Sequence, residues 1–273
     1  MAEERTALGA LPGAVFSSAG RHLALVVRYD GTDYHGFQKQ RGAATIQGVL
    51  EQVLEPLLGP GHVVGASRTD AGVHAAGQVV VWRGPVPIPE DRVVGVINRR
   101  LPASIQVIRG FWVPWGWDPR RQASAKQYSY RLWRVPAVPP LPWYRFVHWL
   151  PDDLSWERLE TGARLFLGQH DFRAFRTEGS SAEKTVREIF DSRWVAEEGG
   201  AIWRYQVAGN GFLYRMVRHM VGAMLEAALP GGSLAVIEHG LAYPQKKVSA
   251  LAPAQGLCLD WIRFREGVGD NVS

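Results

Sequence analysis

His22-Leu23-Ala24-Leu25-Val26-Val27-Arg28-Tyr29-Asp30-Gly31 reads as a strand that ends in an Asp-Gly turn, and it frames the segments around it. Downstream, Thr45 to Leu58 places apolar residues at helical spacing and stops at Gly59, which predicts a helix. Two strands follow, around His62 to Ser67 and Gln78 to Trp82. A helix from about Glu90 to Arg99 stops near Pro102, and a strand from Ile105 to Val113 closes the series. The order is βαββαβ. Upstream of this frame, residues 1–19 form an Ala/Gly/Pro/Ser stretch opened by Glu3, Glu4 and Arg5, expected to be a poorly ordered extension rather than a signal peptide.

The second part of the chain repeats the order with longer connections. A strand at Gln127 to Arg134 leads through the Pro-rich crossover Val135 to Pro142 to a helix from about Leu154 to Leu167. Strands at Val186 to Ala196 and Ala201 to Val207 precede a helix from about Leu213 to Ala228, a short helix near Leu234 to Leu241 and a last strand at Leu257 to Phe264. The fold class expected is therefore α+β, with two ferredoxin-like βαββαβ domains whose antiparallel sheets flank a central cleft. The domains are read as 20–115 and 116–266, with a junction near Pro114 to Pro119 and a tail at 267–273. A cleft of this kind suits an extended ligand.

Composition narrows the partner. A net charge of +5 and a pI near 9.5 favour a polyanion. Between Arg120 and Arg145 the chain carries Arg121, Lys126, Arg131 and Arg134 with no acidic residue, interleaved with Tyr128, Tyr130, Trp133 and Trp143. That mixture suits phosphate neutralisation beside base stacking, with a solvated strand edge over core aromatics as the plainer reading. One cysteine, Cys258, excludes an internal disulfide and a cysteine-based zinc site and fits a reducing cytoplasm. No apolar run approaches the ~20 residues that span a bilayer.

Gly65-Ala66-Ser67-Arg68-Thr69-Asp70-Ala71-Gly72-Val73-His74-Ala75 lies between two predicted strands and is richer in polar and reactive groups than a plain hairpin needs. Arg68, two residues before Asp70, is placed to pair with its carboxylate, and such a partner favours the ionised form that a nucleophile or general base requires. Local chemistry leaves a structural Arg/Asp turn and a catalytic acid both open.

Other segments add to this loop. Tyr29-Asp30-Gly31-Thr32-Asp33-Tyr34-His35-Gly36-Phe37-Gln38-Lys39-Gln40, Thr45-Ile46-Gln47, Ala123-Ser124-Ala125-Lys126-Gln127-Tyr128-Ser129-Tyr130, His170-Asp171-Phe172, Phe212-Leu213-Tyr214-Arg215-Met216-Val217-Arg218-His219-Met220-Val221-Gly222 and Ala252-Pro253-Ala254-Gln255-Gly256-Leu257 recur in the order found in one family. Over about residues 22 to 265 the chain resembles the tRNA pseudouridine synthase A (TruA) family. Trp117-Asp118-Pro119 before Arg120, and Cys258 where an aromatic is common, depart from its pattern.

The resemblance implies an isomerase that turns uridine into pseudouridine in the anticodon stem and loop of tRNA, at tRNA positions 38, 39 and 40, by flipping the base out of its stack. It implies that Asp70 is the catalytic aspartate, that Tyr128 meets the target base, and that Arg68 and Arg218 bind substrate and keep Asp70 ionised. It implies a central RNA-binding cleft, a homodimer, no cofactor, no metal, no membrane attachment and a cytoplasmic location.

The remaining features fit rivals less well. His35, His62 and His74 are widely spaced and lack a paired ligand motif, so metal binding is not expected. His74 is a candidate support for the Asp70 loop and His219 for Arg218, with packing roles open for both. Met216, Met220 and Leu225 read as the core face of a helix. Asp30 and Asp33 at a glycine turn raise an aspartyl phosphotransfer, but no Gly-rich phosphate loop accompanies them. A non-catalytic two-domain RNA-binding protein is the alternative, and it has no use for the Arg68/Asp70 pair.

Overall fold

The computed structural model describes residues 20–150, 153–179 and 184–265; the extension expected at 1–19 and the tail at 267–273 lie outside the described residues. The first series runs β1 (Arg21–Tyr29), α1 (Ile46–Leu58), β2 (His62–Gly65), β3 (His74–Arg83), α2 (Glu90–Asn98) and β4 (Ile105–Pro114). Short helices α3 (Pro119–Gln122) and α4 (Leu141–Tyr144) flank β5 (Ala123–Trp133), and β6 (His148–Trp149) follows. The chain then forms α5 (Trp156–Leu165), β7 (Gly168–Asp171), β8 (Val186–Glu197), β9 (Ile202–Gly209), α6 (Met216–Ala228), α7 (Ala235–Ala242) and β10 (Leu257–Phe264).

Local chemistry accounts for these elements. Thr45 caps α1 by accepting from the Gly48 amide, and Ile46, Leu50, Leu54 and Leu58 form the stripe the helix buries. β1 is apolar without alternation because both its faces are covered: Leu23, Leu25 and Val27 enter the main core, and Ala24 packs with Val81, Val113 and Trp117 on the other side. In α6, Met216, Met220 and Leu225 are buried as expected.

The strands form one sheet in the order β4-β1-β3-β10-β5-β9-β8-β7, with β2 on β3 and β6 on β5. The α+β class is as read, but the sheets are not separate. β2 pairs with β3 only over Val80 to Arg83, which leaves the edge of β3 at His74 and Ala75 open. β10 fills it in parallel through Cys258 and Leu259 while pairing antiparallel with β5 on its other side. Joining the two edges satisfies backbone groups that separate sheets would have left exposed. The strand order β4-β1-β3-β2 is repeated as β10-β5-β9-β8.

That junction positions the site. It brings the start of β3, and the loop leading into it, beside β5 from the later half of the chain.

Candidate active site

Residues 66–73 connect β2 to β3, and the segment after β1 cradles them. The Phe37 amide donates to the Thr69 carbonyl at 3.0 Å and the Gly72 amide to the Tyr34 carbonyl at 3.2 Å. Gly36 makes this approach possible: at φ +90° its Cβ would stand 2.8 Å from the Thr69 carbonyl oxygen. From inside, the buried Gln78 of β3 donates to the Ser67 carbonyl at 2.9 Å and accepts from its amide at 3.2 Å. The Tyr29 hydroxyl holds the Thr69 hydroxyl at 2.8 Å. A loop fixed by this many buried polar bonds has one conformation to offer.

Within that loop Ser67 and Thr69 turn inward and are buried, Arg68 points outward and is exposed, and Asp70 sits half-buried at the cavity. The expected Arg68–Asp70 pair is not formed: Arg68 stays exposed, and the Asp70 carboxylate is met by arginines from a distant part of the chain. Among the described residues, the cations within 4.0 Å of the Asp70 carboxylate are Arg218, with Nη1 at 3.0 Å from Oδ2, and Arg215, with Nε at 3.8 Å from the same oxygen. Arg218 is on α6, and its Nε also donates to the Ala252 carbonyl at 2.8 Å, so two bonds fix the guanidinium plane. Arg215 precedes α6 in a left-handed conformation, φ +61°, rare for a side chain of this size. Sequence reading assigned Arg215 no role. The signal available was its place inside the Tyr214-Arg215-Met216 segment, which does not disclose the backbone turn.

Asp70 opens onto a cavity of about 1030 Å³, whose lining includes Tyr128, Lys126, Phe212, Arg68 and Arg120. Ligand pockets commonly reach ~1,000 Å³, so a nucleotide fits. Tyr128 is buried with its hydroxyl 3.0 Å from the Ser67 hydroxyl and its ring edge-on to Phe212 at 5.2 Å. Burial, opposed by the bond to Ser67 and reinforced by the nearby Asp70 charge, pushes its phenol up to about 12. Lys126 donates to the Ala66 carbonyl at 2.9 Å and to the Ser67 hydroxyl at 3.3 Å, and burial, with Arg187 nearby, brings it down to about 8.

The basic run that held Lys126 is not one surface. Pleating sends Lys126 and Tyr128 to the cavity, while Arg131 lies 3.8 Å from Glu197 and Arg134 stacks over Trp203 at 3.9 Å. His74 supports the loop's exit: its Nδ1 accepts from the Gly31 amide at 3.1 Å, and its Nε2 lies 3.1 Å from the Gln255 carbonyl. His219 lies 2.8 Å from the Ala250 carbonyl and 3.1 Å from the Thr177 hydroxyl. Arg145 occupies Asp30 at 3.0 Å and Asp33 at 2.6 Å. Among the described residues no group of three or more His, Cys, Asp or Glu is placed to hold a metal, and no helix is long and apolar enough to cross a membrane.

Residues 25–112 and 163–265 match a family model described as tRNA pseudouridine synthase. Three proteins named tRNA pseudouridine synthase A are similar throughout. That of Acetivibrio thermocellus is 38% identical over 88% of this chain and 98% of its own. That of Syntrophotalea carbinolica is 40% identical over 87% and 94%, and that of Myxococcus xanthus 38% identical over 90% and 92%. Fold, site and likeness define an RNA-modifying isomerase. The chain belongs to the tRNA pseudouridine synthase family, with relatives named tRNA pseudouridine synthase A, and it converts uridine to pseudouridine in tRNA.

Proposed function

We propose that Asp70 is the catalytic carboxylate of this synthase, acting on a uridine flipped out of the anticodon stem and loop, at tRNA positions 38, 39 and 40. The observation that carries the reading is the Arg218–Asp70 pair at 3.0 Å on the wall of a cavity that also holds Tyr128.

The reaction breaks the bond from uracil N1 to ribose C1′, turns the base, and joins C5 to C1′. Atoms are conserved, so it needs neither oxidant nor energy source. Both guanidinium contacts fall on Asp70 Oδ2, which leaves Oδ1 to face the ribose and assist N1 departure. Arg218 and Arg215 hold the carboxylate in place and offset its burial. Extrusion of the uridine costs a few kcal/mol of unstacking, and the Tyr128 and Phe212 rings offer the base a new aromatic surface. Arg68 and Arg120, exposed at the rim, bind backbone phosphates and so contribute affinity rather than base identity.

In this reading residues 20–115 and 116–266 work as two ferredoxin-like domains either side of the RNA-binding cleft, supported by the repeated strand order. The enzyme works in the cytoplasm as a homodimer, as the family resemblance implies. The test is site mapping: purified protein is incubated with unmodified tRNA, without added metal or nucleotide, and pseudouridine is located along the RNA. Product at positions 38 to 40 is expected; product confined to another arm of the tRNA would overturn the assigned target.

A further inference from the structure

Three side chains beside Asp70 form a connected line whose two hydroxyls and amine have no part in the steps above. Tyr128 Oη lies 3.0 Å from Ser67 Oγ, and Ser67 Oγ lies 3.3 Å from Lys126 Nζ. The line begins at the cavity, where Tyr128 meets the base, and ends at an amine held on its far side by the Ala66 carbonyl at 2.9 Å. The Ser67 backbone is fixed beside the line, because Gln78 bonds both its amide and its carbonyl. A hydroxyl donates one hydrogen and accepts on its lone pairs, so Ser67 can pass a proton in either direction without moving.

We propose that Lys126, acting through Ser67 and Tyr128, takes up the proton that leaves C5 of the uracil after the new C1′–C5 bond has formed. This deepens the functional reading above and rests on it. The C5–H bond breaks as Tyr128 Oη accepts the proton. Tyr128 gives its own hydroxyl proton to Ser67 Oγ, and Ser67 gives its proton to the lone pair of Lys126 Nζ. The C5–H electrons become the C5–C6 double bond, those of the C6–N1 double bond move to N1, and N1 takes a proton from solvent. Lys126 leaves the step as an ammonium and later returns its proton to solvent. The sum is an isomerisation, and no group is consumed.

The chemistry of the two ends explains why a chain is needed. A phenol pushed up to about 12 offers almost no phenolate near neutral pH, so Tyr128 alone is a poor sink. An amine brought down to about 8 is neutral in an appreciable fraction of molecules and can finish the transfer. Arg187 from β8 is the charge that acts on Lys126, and Arg68, Asp70, Arg120 and Arg215 line the same cavity. Burial and the Arg187 cation both favour the neutral amine. Lys126 is a positioning residue in this scheme: it touches Ser67, not the substrate.

The full-length protein is tested with transcribed tRNA carrying 5-tritiated or 5-deuterated uridine, in single turnovers from about pH 6 to about pH 10. Tritium release by the unaltered protein should rise with pH to a plateau, with its midpoint near 8, because the neutral amine is the competent form. Lys126→Arg, which keeps the charge but cannot accept a proton, should slow release roughly 100-fold, erase that midpoint and expose a 5-deuterium isotope effect. Ser67→Ala should expose the same isotope effect, and it serves if Lys126→Arg does not fold. Either folded variant releasing tritium at the unaltered rate, or slowed with no isotope effect and the midpoint intact, would overturn the relay. Asp70→Asn separates the two readings: no release from it beside full release from Lys126→Arg removes the relay alone, whereas no release by the unaltered protein removes both.

Discussion

Arg218 Nη1 and Asp70 Oδ2 lie 3.0 Å apart although 148 positions separate them in the chain. The same guanidinium is held at Nε by the Ala252 carbonyl, so its direction is set before any RNA arrives. Arg218→Ala is expected to lower the single-turnover rate on unmodified tRNA about 100-fold or more, equivalent to about 2.7 kcal/mol of barrier. Arg218→Lys should recover only part of it, since a compact ammonium cannot serve Ala252 and Asp70 in one plane. A fully active Arg218→Ala would detach the pair from catalysis.

Arg68 behaves differently because its side chain is exposed and Asp70 has other partners. Arg68→Ala should change folding stability by no more than about 0.5 kcal/mol. Its effect belongs in tRNA affinity, where the slope of log K against log salt should fall by about one. Equilibrium binding at several salt concentrations checks this; an unaltered slope would remove Arg68 from the phosphate contacts.

The loop's cradle makes a backbone prediction. At Gly36 any side chain combines an unfavourable positive φ with a Cβ 2.8 Å from the Thr69 carbonyl, so Gly36→Ala should destabilise the protein by about 2 kcal/mol or more. Activity measured well below the melting temperature should fall further than stability explains, because the displaced Thr69 lies next to Asp70. Unchanged melting and rate in the Gly36→Ala variant would show that the cradle does not position the loop.

Most helices and long strands were legible in the sequence because their cause is local: the Thr45 cap, the Ile46 to Leu58 stripe and the Asp30-Gly31 turn are all read within a few residues. The pairing of β3 with β10 was not, since which strand edges meet is settled by long-range contacts that alternation does not encode. The site divides in the same way. Asp70, Tyr128 and Arg218 were named through motif resemblance, and the structure gathers them at one place. Arg215 was missed because its left-handed turn has no sequence signature in an arginine, and Lys126 because a basic run does not say which members pleating turns inward. The Arg68–Asp70 pair failed because the Asp70 carboxylate is taken by Arg218 and Arg215, which long-range packing brings to it, while Arg68 stays exposed.

Asp260 allows a pH test away from the site. It accepts from the Ser129 hydroxyl at 2.7 Å and the Gln127 amide at 3.1 Å, and burial outweighs these bonds and raises its carboxyl. A carboxyl raised on folding stabilises the native state most while both states are protonated, and that contribution is lost as pH climbs through the native value. Asp260→Asn keeps an acceptor for Ser129, and Gln127 can turn its amide to match. Melting should therefore rise at neutral pH relative to the unaltered protein, with the advantage shrinking in acid. A gain over the unaltered protein that is larger in acid than at neutral pH would reverse the assigned sign.

The central claim is that one carboxylate does the chemistry. Pseudouridine formed in unmodified tRNA by the unaltered protein is to be compared with that formed by Asp70→Asn, with melting and tRNA binding measured to establish that the variant is folded and loaded. Binding without product is expected from Asp70→Asn at times when the unaltered protein has finished. Equal product from both proteins would contradict the claim.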